Sequence, residues 1–252
     1  DSDCPGDTIE QVSFCEGSIV TLNMLNPALA SPEKILQTLE ILRRTSGPRT
    51  LHGTRDPVDE LVLTILSQNT SDRNSGRAFR QLKLRYPTWP EVLEADLAEL
   101  TETIRVGGLA NIKAARIQNT LAAIIQQRGE LRLDFLRDLT LPEARAWLTA
   151  LPGIGPKTAG CVLCFACNQP AMIVDTHIHR VAKRIGMIGP KVSADAAHEL
   201  LETVVPAADA YQFHVSVLLH GRQICQAQRP KCERCPLTEI CAFYQGARGN
   251  IV

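Results

Sequence analysis

The ten residues Leu151-Pro-Gly-Ile-Gly-Pro-Lys-Thr-Ala-Gly160 constrain this chain more than any other stretch. Two glycines and two prolines within five positions interrupt a helix, so one helix must end before them and another begin after them. Upstream, Thr140 can cap a helix with Pro142 near its N1 position, and Ala144, Trp147, Leu148 and Leu151 share one face. Gly153 and Gly155 permit a tight turn with positive φ and a close approach by a foreign backbone. Pro156 restarts the helix and leaves Lys157 in its first turn, where free amides form a phosphate cradle. A cation at the positive end of a helix dipole is unfavourable, which favours the neutral amine, a nucleophile. The second helix, Pro156 to about Cys167, runs on the order of 16 Å. Residues 168–174 can reach back about 23 Å if extended. That is enough to return Asp175 to Lys157, and an amine beside a carboxylate at a phosphate cradle implies chemistry at a sugar carbon of DNA. Taken singly, Lys157 also reads as a solvated surface lysine. Asp175 also reads as the cap of a helix whose core face is Ile178, Val181, Ala182 and Ile185.

The chain has 252 residues, enough for one large or two modest domains. Net charge is zero, which argues against a wholly basic nucleic-acid binder, yet five acids and no Lys or Arg fall in residues 1–30. The remainder is therefore net +5. No run of 18 apolar residues suggests a membrane span, and no basic and apolar leader suggests a signal peptide. Nine cysteines sit mostly in two clusters, which favours metal ligation in a reducing compartment, and so a cytoplasmic protein, over disulfides.

Residues 1–30 read as a flexible arm, in which Cys4 and Cys15 have no spacing that requires pairing or metal. Ser31-Pro32 opens a helix carrying Ile35, Leu36, Leu39 and Leu42, and Thr45–Thr54 is a loop. Asp56-Pro57 opens another with Leu61, Val62, Ile65 and Leu66 buried, ending at Ser67-Gln-Asn-Thr70, with Ser71 as the next N-cap. Arg73, Arg77, Arg80, Lys83 and Arg85 follow without an acid between them, a solvated face or a phosphate-facing one. Residues 87–94 turn a corner, and Leu97, Leu100 and Ile104 belong to a short helix. Leu109, after Gly107 and Gly108, is an apolar side chain in an exposed loop and suits a wedge between base steps, the alternative being a cap contact. Ile112, Ala115, Ile117, Leu121 and Ile124 mark a long helix ending near Gly129. Cys161, Cys164 and Cys167 lie among apolar residues and read as buried core. Helices around Ala197–Val204 and Tyr211–Leu219 lead to Cys225-x6-Cys232-x2-Cys235-x5-Cys241, four thiols within 17 residues that suit one metal centre, zinc or iron–sulfur. No strand-like alternation appears, so the expected fold is all-α.

The run L-P-G-I-G-P-K-T-A, followed by Val174-Asp-Thr-His-Ile178, resembles the endonuclease III family of helix-hairpin-helix DNA glycosylases and AP lyases. The resemblance covers about residues 31–245, and the cysteine spacing is that of the family's [4Fe–4S] loop. It implies two helical domains, 56–168 and 31–55 joined with 169–245, with the active site in the cleft between them. It implies Lys157 as Schiff-base nucleophile, Asp175 as catalytic carboxylate, and Cys225, Cys232, Cys235 and Cys241 as ligands of a [4Fe–4S] cluster. DNA-binding positions implied are Gln68, Leu109, Gly153, Gly155, His177 and Arg222, with Asn69 competing with Gln68 to fill the gap left by an extruded base. The expected activity is removal of oxidised pyrimidines from double-stranded DNA and β-elimination at damaged or abasic nucleotides, by a monomer, nucleoid-associated if the source is bacterial. The alternatives are a mismatch-specific glycosylase of the same superfamily and a non-catalytic iron–sulfur DNA-binding module.

Overall fold

The computed structural model describes residues 29, 31–51 and 55–249, so the reading of residues 1–28, Cys4 and Cys15 included, lies outside the described residues. Twelve α-helices follow one another among the described residues: α1 Pro32–Ser46, α2 Pro57–Ser67, α3 Asp72–Arg85, α4 Trp89–Glu94, α5 Leu97–Thr103 and α6 Ala110–Arg128, then α7 Leu141–Thr149, α8 Pro156–Phe165, α9 Thr176–Ile185, α10 Ala194–Glu202, α11 Ala210–Gln223 and α12 Ala242–Gly249. The one β feature among them is an isolated bridge between Leu29 and Ile188. No described helix is long and apolar enough to cross a membrane.

Local chemistry sets the boundaries. Asp56 accepts from the amides of Val58 and Asp59 at 2.9 Å each, and Pro57 sits where a missing amide costs nothing. Thr140 and Glu143 form a capping box that starts α7. Thr88 and Glu91 form another, which makes a short helix of the corner expected over 87–94. Helix α8 stops at Phe165, two residues short of Cys167, and Asn168 takes the left-handed conformation that turns the chain back.

Buried apolar residues gather in two clusters. The first joins α2 to α8 through side chains such as Leu61, Ile65, Leu121, Leu148 and Leu163. The second joins α1 to α9, α10 and α11 through Leu39, Ile178, Val181, Leu201 and Phe213. The cysteines Cys161, Cys164 and Cys167 belong to the first core, as their apolar setting indicated. Burial of Cys164 pushes its thiol up to about 12, which keeps it protonated. Three of the apolar positions that marked the expected helices are exposed: Leu36 (42%), Leu97 (45%) and Ile112 (56%). Each lies on a helix whose neighbours cover only part of the apolar stripe.

Helices α2 and α8 pack antiparallel. At one end Gln68 Nε2 donates to Thr158 Oγ1 at 3.5 Å; at the other Arg137 donates to the carbonyls of Arg55 (3.4 Å) and Ala166 (3.2 Å). The chain after α8 then runs back along it. Gln169 N donates to Leu163 O at 2.9 Å, and Met172 O passes so close to Gly160 that a Cβ there would lie 3.1 Å from it. Ala171, Met172, Ile173 and Val174 are all buried. Two histidines hold this strand: His198 Nδ1 lies 2.8 Å from Met172 O, and His214 Nδ1 lies 3.1 Å from Ile173 O.

Burial lowers the pKa of both His198 and His214 below the ordinary 6.5. Between that unfolded-state value and the lower folded values, the unfolded chain binds more protons, so stability rises with pH. We expect the midpoint of urea unfolding to fall as pH drops from 7 to 5. Replacing both histidines by glutamine should flatten that slope; an unaltered slope in the double variant would refute the assignment.

Candidate active site and iron–sulfur centre

A cleft of about 670 Å³ is walled by α2, α8 and α11. Lys157, in the first turn of α8, lines it, and so does Asp175 at the end of the returning strand. Asp175 Oδ1 accepts from the amide of Ile178 at 2.7 Å and so caps α9, while the residue still faces the cleft. Cap and cleft residue are therefore the same side chain. The core face of α9 is Ile178, Val181, Ala182 and Ile185, all buried.

The hairpin before Lys157 uses its glycines unequally. Gly153 has φ +76°, and a Cβ on it would come within 2.9 Å of Arg116 Nε. Gly155, expected to share that left-handed turn, is extended at φ −97° and serves as the N-cap of α8 with open space around it. Its value is room for an approaching backbone rather than a positive φ.

Two further loops border the cleft mouth. Gln68 is hydrogen-bonded to Arg116 as well as to Thr158, which ties it to the hairpin, whereas Asn69 beside it is exposed at φ +51°. Leu109 is 52% exposed at φ +49°. A buried lysine joins these loops: Lys113 Nζ donates to Leu66 O and to Gly107 O, each at 2.8 Å. Arg222 bridges the mouth to Asp72 at 2.8 Å, and His177, half-buried, lies with Nδ1 3.1 Å from Arg180 Nη2. Of the basic run on α3, Lys83 pairs with Asp59 and stacks on Trp89, and Arg85 pairs with Glu99.

Sequence reasoning did not single out Arg116, Lys113, Glu60 or His214. Glu60 is 3% exposed, accepts from Arg55 at 2.6 Å and from Thr64 Oγ1 at 3.3 Å, and faces the cleft. Burial raises its pKa, partly offset by Arg55. Its signal was present as a polar pair, Glu60 and Thr64, at i,i+4 within an apolar helix.

At the far end of the chain Cys225, Cys232, Cys235 and Cys241 line one pocket with Ile185, Leu237 and Phe243. Leu237 N donates to Cys235 Sγ, and Arg184 Nη1 to Cys225 Sγ, each at 3.4 Å. Burial and the neighbouring thiols push Cys235 up to about 11, a strain that metal ligation of the thiolates would relieve. Among the described residues no three His, Cys, Asp or Glu side chains converge on a point suited to a single ion. The sulfurs ring a space instead, with amide and guanidinium donors aimed at them, which fits a polynuclear iron–sulfur group.

Comparison with known proteins agrees with this geometry. The model for HhH-GPD superfamily base excision DNA repair proteins matches residues 62–207, and that for the iron–sulfur binding domain of endonuclease III matches residues 225–241. Endonuclease III of Escherichia coli K12 is 34% identical over 212 residues, 83% of this chain and 95% of that protein. An Arabidopsis thaliana protein is 38% identical over 167 residues, of whose length this chain spans 56%. The structure of a trapped endonuclease III–DNA covalent intermediate superposes with a TM-score of 0.73 at 28% identity, covering 87% of this chain and all of that one. The partner is DNA and the cofactor a [4Fe–4S] cluster. An amine and a carboxylate in a cleft beside a glycine hairpin, with four cysteines ringing a cluster pocket, thus have their counterpart in sequence: this chain belongs to the HhH-GPD superfamily of base excision DNA repair proteins and, within it, to the endonuclease III family of DNA glycosylase/AP lyases.

Proposed function

We propose that the protein removes oxidised pyrimidines from double-stranded DNA and then cuts the strand by β-elimination, with Lys157 as nucleophile and Asp175 as catalytic carboxylate. One observation carries the reading. The buried strand 171–174 retraces α8 past Gly160, so the residue that follows it, Asp175, opens into the cleft that Lys157 lines. The division into lobes 56–168 and 31–55 plus 169–245, acting as a monomer, belongs to the same reading.

Amides at the start of α8 and around Gly153 and Gly155 hold the backbone phosphates. Leu109 enters the stack, and Gln68 fills the gap while the damaged nucleotide turns into the cleft. His177 and Arg222 line the approach of the strand. Asp175, held in place by its bond from the Ile178 amide, stabilises the positive charge that develops on the sugar and takes part in activating Lys157. Lys157 Nζ bonds to C1′, the bond from C1′ to the base breaks, and the base leaves with the electron pair. The nitrogen lone pair then forms C1′=N as the C1′–O4′ bond breaks and O4′ takes a proton, and the resulting Schiff base acidifies C2′. Loss of a C2′ proton expels the 3′ phosphate and cuts the strand. Cys225, Cys232, Cys235 and Cys241 hold the [4Fe–4S] group, whose chemistry is to cross-link and stiffen the loop. Arg229, Lys231 and Arg234 on that loop meet phosphates.

Three outcomes follow. Lys157→Ala should abolish the borohydride-trapped complex with abasic DNA, measured on denaturing gels, while weakening DNA affinity by less than about tenfold, since several cations share the phosphates. Full trapping by this variant would exclude Lys157 as the nucleophile. Leu109→Ala should slow base release from duplex DNA far more than cleavage at an abasic site, because only the former must unstack a base. The melting temperature should barely move for so exposed a side chain; were Leu109 core, truncation would cost about 2–5 kcal/mol and lower it visibly. Anaerobically purified protein should be yellow-brown with about four irons per chain, and stoichiometric zinc without iron would refute the ligand assignment.

A further inference from the structure

We infer that the α2 wall of the cleft reads the edge of the extruded base, and that Glu60, held by Thr64, and Arg55 together select a pyrimidine imide over an aminopyrimidine. The inference rests on the glycosylase reading above and specifies its substrate. Because α2 and α8 are antiparallel, depth in the cleft is set by position along them. The Gln68–Thr158 contact lies at the Lys157 end of the two helices, and the Arg137 bonds to Arg55 O and Ala166 O lie at the other. Lys157 is at the mouth. A base attached to the sugar that meets it must extend inward, along the wall formed by one face of α2.

That wall presents three polar groups in a fixed order: the Thr64 hydroxyl, then the Glu60 carboxylate, then the Arg55 guanidinium, all lining the cleft. Thr64 Oγ1 and Glu60 Oε1 are 3.3 Å apart, and Arg55 Nη1 and Glu60 Oε2 2.6 Å apart, spacings on the scale of neighbouring polar atoms on a pyrimidine's edge. The charge states are held by the groups themselves. Arg55 donates to Glu60 Oε2 at 2.6 Å and Thr64 donates to Oε1 at 3.3 Å, so Glu60 offers its remaining lone pairs as an acceptor. Arg55 has donors only, and its fork is not exhausted by one bond. Reading inward, the wall therefore offers hydroxyl, acceptor, donor. An imide ring presents N3–H and then O4, which meet the Glu60 acceptor and the Arg55 donor, while the one Thr64 hydrogen stays on Glu60. A cytosine-type ring presents O2, N3 and N4–H₂, which sets lone pair against carboxylate and amine against guanidinium. Glu60, 3% exposed, cannot turn to water, so an edge that mismatches it is discriminated against.

The test compares single-turnover base release from duplexes carrying 5,6-dihydrouracil or 5-hydroxycytosine, with the melting temperature and borohydride trapping on abasic DNA measured alongside. Wild-type protein should release dihydrouracil faster. Glu60→Gln, whose carboxamide offers both an N–H and an oxygen, should narrow that preference by about tenfold or more. Arg55→Gln, at a side chain 60% exposed and so a small risk to the fold, should narrow it in the same direction. A wild-type preference for the cytosine lesion, or a preference that neither variant alters, overturns the inference while leaving the lysine chemistry standing. Rates on both lesions that fall in step with abasic trapping would put Glu60 in the service of Lys157 and also overturn it. Wild-type protein that traps on abasic DNA yet releases neither base would refute the pyrimidine substrate itself, and this inference with it.

Discussion

The antiparallel packing of α2 against α8 is the constraint from which the site follows. One helix runs towards the mouth as the other runs away from it. The end of α2 therefore brings Gln68 to the hairpin just where α8 begins with Lys157, and the end of α8 meets the start of α2 under Arg137. The apolar halves of both helices, Leu61 and Ile65 against Val162 and Leu163, lie in one core. Burial of such side chains contributes roughly 1.5–3 kcal/mol each, so this pairing is fixed by the strongest term in folding. The polar residues between them, Glu60, Thr64 and Lys157, have no choice but to face the cleft.

A second dependence hangs on the first. The strand 171–174 lies flat on α8 only because residue 160 is glycine and leaves its carbonyl side open to Met172 O. Backbone groups buried there need partners, and the neutral imidazoles of His198 and His214 supply them from α10 and α11. The carboxylate at the end of the strand is thus positioned by the first core through α8 and by the second through two histidines. The two loops at the mouth are coupled in a comparable way. Lys113 bonds a carbonyl from each, and its burial lowers its pKa, so two neutral carbonyls rather than solvent hold its amine in place. Arg116 then links Gln68 to the space beside Gly153. Gln68, Leu109 and the hairpin are in consequence three parts of one rigid surface.

What the sequence determined by itself was whatever short-range chemistry dictates. Proline and glycine placed the hairpin; Asp56, Ser71, Thr140, Asp175 and Ser193 marked helix starts because their side chains have the geometry to take an orphan amide. The spacing of Cys225, Cys232, Cys235 and Cys241 announced one metal centre, and the apolar setting of Cys161, Cys164 and Cys167 announced a core. Lys157 and Asp175 were legible because the motif around each is local. Tertiary structure alone decided which faces are covered, which is why Leu36, Leu97 and Ile112 remain exposed despite helical spacing. It alone joined Glu60 to Arg55 inside the cleft, Lys113 to two distant carbonyls, and two histidines to one strand. Those are contacts between residues up to 47 positions apart, and periodicity carries no information about them. A hydrogen bond or a buried charge has meaning only relative to its partner, and the partner is chosen by how the cores pack.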